Sequence, residues 1–144
     1  MKIIIQRVKS SSVSVEGKVV SSIGRGLNIL VCIESDDDIK TIHRAAKKIP
    51  AYRIFQDDEG RMNQNILQVG GELLLVSQFT LSWNGKKGNR PSFDNSMDPS
   101  KANDLFEELC LELAKEVPVK KGVFGATMEV AIVNDGPVTF SFDF

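Results

Sequence analysis

Two short segments hold the residue types that can do chemistry: Ser77-Gln78-Phe79-Thr80-Leu81 and Asn134-Asp135-Gly136-Pro137-Val138-Thr139. A hydroxyl such as that of Thr80 performs acyl transfer when a base activates it. No base stands near it in sequence, and a β-branched strand residue using its hydroxyl locally is the competing reading. Gln78 is no base at neutral pH, but its amide can orient a substrate. The backbone N–H groups around Gln78–Thr80 can stabilise an oxyanion, a task that needs no particular side chain. In the second segment Gly136 permits backbone angles that other residues resist. Pro137 fixes φ, removes a donor and admits a cis peptide at a cost of about 0.5–1 kcal/mol. Together the segments read as a site built largely from backbone.

Other chemistries find less footing. The single histidine, His43, lies mid-helix with no cysteine or histidine at ligand spacing, so no metal is expected. A Ser-His-Asp arrangement would have to recruit the same residue. Gly24-Arg25-Gly26 is too short to cradle a phosphate and reads as a turn, and no cofactor is expected. Lys86, Lys87 and Arg90 cluster in a long polar loop. They are either a solvated surface or, beside a backbone-built pocket, contacts to a phosphate-bearing substrate. Lys115, Lys120 and Lys121 form a weaker second cluster. A net charge of −1 creates no global field for a polyanion, so nucleic acid must be met by a local patch or a pocket.

Seven strands and two helices must position these segments. Lys2–Val8 reads as a strand, followed by Ser10–Glu16 and, after Glu16-Gly17, Lys18–Ile23. Leu27–Ile33 is a continuous apolar run of strand length. Ser35 with Asp36, Asp37 and Asp38 looks like an N-cap with first-turn acids. The first helix then carries Ile39, Ile42, Ala46 and Ile49 on one stripe until Pro50 ends it. Gln56–Arg61 is a polar turn and Leu73–Val76 a buried strand leading into Ser77–Leu81. Ser82–Met97 is a surface loop. Asp98-Pro99 opens a second helix with Ala102, Leu105, Phe106, Leu109 and Leu113 inward. Thr127–Val133 and Val138–Phe144 alternate as the last two strands.

The 144 residues, 42% hydrophobic and 26% charged, fit one soluble domain over 1–144. The pattern predicts an α+β fold, a mainly antiparallel sheet or partly closed barrel with two main helices packed on it. Cys32 and Cys110 sit inside apolar runs and read as buried thiols of a reducing compartment. The apolar start is too short for a signal peptide, and no window reaches the ~20 apolar residues that span a bilayer. A cytoplasmic protein is expected.

Read together, the two signature segments resemble those of the D-aminoacyl-tRNA deacylases. The likeness extends to Gln6-Arg7-Val8, Gly88-Asn89-Arg90-Pro91-Ser92-Phe93 and Gly122-Val123-Phe124-Gly125-Ala126. Val123 departs from it, since arginine or another polar residue is more usual there. The resemblance implies hydrolysis of the ester joining a D-amino acid, or glycine, to the terminal ribose of tRNA. It also implies a homodimer in which Gly136-Pro137 of one subunit, in the cis form, reaches into the partner's pocket. Carried over, Ser77, Gln78, Phe79 and Thr80 form the pocket floor, acting largely through backbone, and Gly136-Pro137 is the selectivity element. Arg7, Met128 and Asn134 take supporting places, and Lys86, Lys87 and Arg90 become weak contacts to the tRNA. Neither a membrane nor DNA is expected among the partners. Three alternatives stay open: a relaxed-chirality enzyme of the same fold clearing mischarged L-alanine, a tRNA-binding module without catalysis, and a hydrolase of small D-amino acid esters or N-acyl D-amino acids.

Overall fold

In the computed structural model, residues 1–86 and 88–144 are described. They form β1 (Lys2–Val15), β2 (Lys18–Ile23), β3 (Gly26–Cys32), α1 (Ile39–Lys48), β4 (Phe55–Gln56), β5 (Met62–Gln64), β6 (Glu72–Ser77), α2 (Pro99–Ala114), β7 (Val119–Lys121) and β8 (Glu129–Asp143). Short 3₁₀ turns cover Ile49–Ala51 and Phe79–Ser82.

β1 is long enough to serve three partners. Its first half pairs antiparallel with β3, its second half with β2, and nearly its whole length with β8. The sheet continues β3-β6-β7, and both of those pairings are parallel. The result is a mixed, nearly closed barrel-like sheet with two helices on it. β3 and β6 begin so close together that a Cβ on Gly26 would lie 1.9 Å from the carbonyl oxygen of Glu72. Only glycine fits there.

Alternation along the strands builds two cores. Leu73 and Leu75 of β6 join Ile3, Ile5, Leu27 and Ile29 beneath Ile42 and Ala45 of α1 and Phe106 and Leu109 of α2. Leu74 and Val76 point the other way, to Val8, Val13 and Ile23, with Met128, Val130 and Ile132 closing over them. Apolar residues on both faces explain why these strands read as unbroken hydrophobic runs. β8 spans the two clusters: Phe140, Phe142 and Phe144 pack on the first, and the ring of Phe142 stacks on Tyr52 at 4.4 Å.

Several boundaries differ from the sequence expectation. The two strands read at the N-terminal end are one, β1, and the final two are one, β8, whose register against β1 shifts around Val8. A shift of this kind bends a strand without ending it. α1 is capped by Asp38, whose Oδ1 accepts from the Thr41 N–H at 3.0 Å, and not by Ser35. Asp37 is already engaged, accepting from the Met1 ammonium and from the Glu34 N–H. The helix therefore starts three residues later than a Ser35 cap would set it, and Ile39 is left 43% exposed. The β4–β5 hairpin flanks the polar turn and was not anticipated. α2 begins on Asp98 and Pro99 as its sequence predicts. Among the described residues no helix is long and apolar enough to cross a membrane.

Candidate functional site

Parallel strands open a crevice beyond their carboxyl ends, where ligands commonly bind in sheets of this type. β3 and β6 end side by side, Val31 opposite Ser77, and the Gln78 N–H carries their ladder one step further to the Val31 carbonyl at 2.7 Å. Just beyond lies a cavity of about 660 Å³. The strand ends contribute Val31, Cys32, Val76, Ser77, Gln78 and Phe79. Phe93 and Asp98 come from the loop before α2, Phe106 from α2 itself, and Phe124, Gly125, Ala126 and Met128 from the approach to β8. That loop is anchored to the end of β3, with the Ser35 N–H donating to Asn95 and the Met97 N–H to Ile33. The stretch expected to be a surface loop, Ser82–Met97, thus delivers an aromatic ring to the cavity, and the cap of α2, Asp98, follows it there.

At the cavity floor β6 gives way to the 3₁₀ turn Phe79–Ser82. The first N–H groups of a helical turn have no intrahelical acceptor. Those of Phe79 and Thr80 have no hydrogen-bond partner among the described residues. The Cys32 thiol donates to the Phe79 carbonyl at 3.5 Å, which holds the turn against β3. The Gln78 amide donates to the Thr80 hydroxyl at 2.6 Å. Phe79 is 56% exposed and meets Phe93 edge-on, ring centres 4.9 Å apart. An aromatic pair, Phe79 exposed and Phe93 half-buried, beside free backbone donors suits a flat, polar-edged ligand such as a nucleobase.

Ser77, Gln78, Phe79 and Met128 therefore share one cavity, while Thr80 stands outside its lining, linked to it through Gln78. Gly136 and Pro137 do not join them. Both are exposed, and neither lines the cavity. Their peptide bond is cis, and Gly136 has φ +133°. Arg7 is 4% exposed; its Nε lies 3.1 Å from both the carbonyl and a carboxylate oxygen of Asp135, and its Nη1 donates to the Ile54 carbonyl at 2.8 Å. Asn134 pairs with Val8 across the strands. Lys86 and Arg90 are exposed and outside the cavity lining, and Lys87 lies outside the described residues.

Both thiols are buried. Burial first, then the charge of Glu34, pushes Cys32 up to about 11. Burial and then Glu107 push Cys110 up to about 12. Neither is poised as a nucleophile. His43 faces α2, its Nε2 3.6 Å from Glu108, with Glu112 nearby. Glu112 is engaged by Lys115, so an exposed ion-pair network accounts for this trio. Sequence reasoning missed Phe93, Asp98, Phe106 and Ala126 as cavity residues. For Phe93 and Ala126 the signal was the match of the 88–93 and 122–126 segments to the family pattern, whereas Asp98 and Phe106 read in the sequence only as a helix cap and a helix stripe residue.

A family model described as D-Tyr-tRNA(Tyr) deacylase matches residues 4–143. A D-aminoacyl-tRNA deacylase of Persephonella marina is 50% identical over 140 residues, 97% of this chain and 95% of the relative. One from a Nitratiruptor species is 48% identical over 143 residues, 99% of this chain and 97% of the relative. Among solved structures, a c-Myc DNA unwinding element binding protein superposes with a TM-score of 0.95 at 37% identity, covering 100% of this chain and 99% of the other. A probable eukaryotic D-amino acid tRNA deacylase gives a TM-score of 0.83 at 19% identity, covering 99% and 98%, which shows a shared fold.

Proposed function

The chain belongs to the D-Tyr-tRNA(Tyr) deacylase family, and on that premise we propose that it hydrolyses the ester between a D-amino acid, or glycine, and the 3′-terminal ribose of tRNA. The observation that carries this reading is the N–H of Phe79, at the floor of an aromatic-lined cavity, together with that of the adjacent Thr80, both without a hydrogen-bond partner among the described residues. Ester hydrolysis develops negative charge on the carbonyl oxygen, and preorganised backbone donors stabilise it without reorganisation. Phe79 and Phe93 offer ring faces and edges to the terminal base. With no activated side-chain nucleophile, attack is by water, assisted by the ribose hydroxyl vicinal to the ester, which is already in place on the substrate.

Selectivity is assigned to Gly136-Pro137 of a second copy. L-aminoacyl-tRNA is the normal substrate of translation, so it must be refused strongly. A 10⁴-fold preference corresponds to about 5.5 kcal/mol, more than one side-chain contact supplies. Discrimination of that size calls for a repulsive element. Main chain braced by Arg7 makes such a wall, because it cannot swing aside as a side chain can. Within one chain the dipeptide is exposed and absent from the cavity, so it acts there only if a homodimer lends it. Glycine offers no Cβ to the wall and is accepted with the D-residues. The cytoplasm, where tRNA is charged, is the matching location.

The deciding experiment compares matched D- and L-aminoacyl-tRNAs with the purified protein. Turnover of D-Tyr-tRNA with L-Tyr-tRNA spared supports the reading. Hydrolysis of L-Ala-tRNA in preference to D-Tyr-tRNA would show relaxed chirality, and binding of uncharged tRNA without hydrolysis would leave a binding module.

A further inference from the structure

Trp83, the only tryptophan of the chain, follows directly on the 3₁₀ turn Phe79–Ser82, and its N–H donates to the Thr80 carbonyl at 3.2 Å. Such a turn rises about 2 Å per residue, which sets Trp83 roughly 8 Å along from Phe79. The residue is 39% exposed and lies outside the cavity lining. Among the described residues no aromatic ring pairs with it and no cation covers its face. One exposed ring is ordinary by itself; here charge accompanies it. No acid stands between Glu72 and Asp94, whereas Lys86, Lys87 and Arg90 do. Lys86 and Arg90 are exposed, and neither joins an ion pair among the described residues. A chain of net charge −1 thus carries a local positive stretch and a free aromatic face just where the cavity floor ends.

From this we propose that Trp83 is a stacking platform for the unpaired 3′ strand of tRNA, taking a base 5′ of the terminal adenosine while Lys86 and Arg90 meet the phosphates. The inference rests on the deacylase reading and deepens it, by saying how the substrate is held beyond its last nucleoside. Single strands are bound in this way generally, with aromatic faces for the bases and cations along the backbone. The separation of Phe79 from Trp83, about 8 Å, matches about two nucleotides stacked at roughly 3.4 Å each. A terminal base beside Phe79 therefore brings a preceding one to Trp83. This end is common to tRNAs whatever they carry, so the contact adds affinity without restricting which amino acid is removed. It also favours tRNA over small esters of the same amino acid, which have no second base to stack.

Because the chain has one tryptophan, its fluorescence reads the contact directly. The wild-type protein is titrated with the uncharged trinucleotide CCA and, separately, with adenosine. We expect the trinucleotide to quench the emission and adenosine to leave it unchanged; quenching by neither, or equally by both, overturns the inference. Kinetics supply a second arm. Trp83→Ala should raise KM for D-Tyr-tRNA by about 5- to 100-fold, the worth of one stacked base, with kcat unchanged, and Trp83→Phe should recover most of the loss. A loss carried by kcat would make Trp83 a prop of the turn, and wild-type behaviour of Trp83→Ala would remove it from binding; both overturn the inference and leave the deacylase intact. Arg90→Gln should flatten the fall of log kcat/KM with log salt by about 0.7, and an unchanged slope overturns the phosphate contact. A wild type that CCA quenches but that spares D-Tyr-tRNA would instead overturn the deacylase reading and leave the platform standing.

Discussion

Arg7 in the first strand hydrogen-bonds through Nε to the carbonyl of Asp135, the residue directly before Gly136, at 3.1 Å. The same buried guanidinium donates through Nη1 to Ile54, so one planar fork ties the Gly136-Pro137 segment to the loop after α1. Lysine offers a point charge and cannot hold both directions at once. Arg7→Lys should lower kcat/KM on D-aminoacyl-tRNA by about 10- to 100-fold and Tm by roughly 5 °C, the scale of one or two lost charged hydrogen bonds. Steady-state kinetics with a melting curve checks it; wild-type activity in Arg7→Lys would deny the bracing role.

Gly136 combines φ +133° with close neighbours. A Cβ there would sit 2.8 Å from Cγ2 and 2.9 Å from the backbone nitrogen of Val138, and 3.3 Å from the Arg7 guanidinium. Gly136→Ala is therefore both strained, by about 1–3 kcal/mol, and overpacked. The control is Gly85→Ala, at φ +68° with nothing within 4 Å. We expect Gly136→Ala to lose more than about 100-fold in activity and several degrees in Tm, and Gly85→Ala to keep full activity. Equal behaviour of the two alanines would contradict the assignment of Gly136 to selectivity.

The thiols give a pH test. Cys32 and Cys110 ionise at about 11 and about 12 in the fold, against 9.0 for an unperturbed thiol. The native state thus holds these protons more tightly than the unfolded chain. Their contribution to stability is complete below pH 9 and shrinks as pH rises from 9 through 11 to 12. Native protein at about pH 8 should resist iodoacetamide at both cysteines, while protein unfolded in guanidinium reacts at both. Mass spectrometry reads the outcome, and rapid native alkylation of Cys32 would place it in an open, ionised setting.

Much of the positioning framework is legible from residue order alone. Asp98-Pro99 announces α2, and the strict alternation of Val138, Phe140, Phe142 and Phe144 announces the end of β8, because capping and period-2 burial are local properties. Parallel pairing of β3 with β6 is not local. Both strands are apolar on both faces, and nothing in either names its neighbour, so the crevice at their ends stays hidden until the chain is folded. The same holds for Phe93 and Asp98, which reach the cavity through the tethers from Ser35 to Asn95 and from Met97 to Ile33. Ser77–Thr80 is recognisable as an abrupt polar end to a buried strand, but its free N–H groups follow from a 3₁₀ turn that propensity does not mark. The separation of Gly136-Pro137 from its own chain's cavity is a matter of tertiary geometry and has no signature in the two motifs.

Thr80 distinguishes two mechanisms. Its hydroxyl accepts from the Gln78 amide at 2.6 Å, and that is its only side-chain partner outside its own turn among the described residues. A nucleophilic hydroxyl needs a base as neighbour, and an amide is a donor that dampens the oxygen's lone pair. If backbone N–H groups and the substrate's own hydroxyl carry the reaction, Thr80→Ala should retain kcat within about tenfold of wild type. A tRNA ending in 2′-deoxyadenosine, charged at the 3′ position, should instead be turned over at least about 100-fold more slowly by both enzymes. The opposite pattern, a loss of about 10⁴-fold in well-folded Thr80→Ala with the deoxy substrate unaffected, would assign covalent attack to Thr80 and remove the ribose from the chemistry.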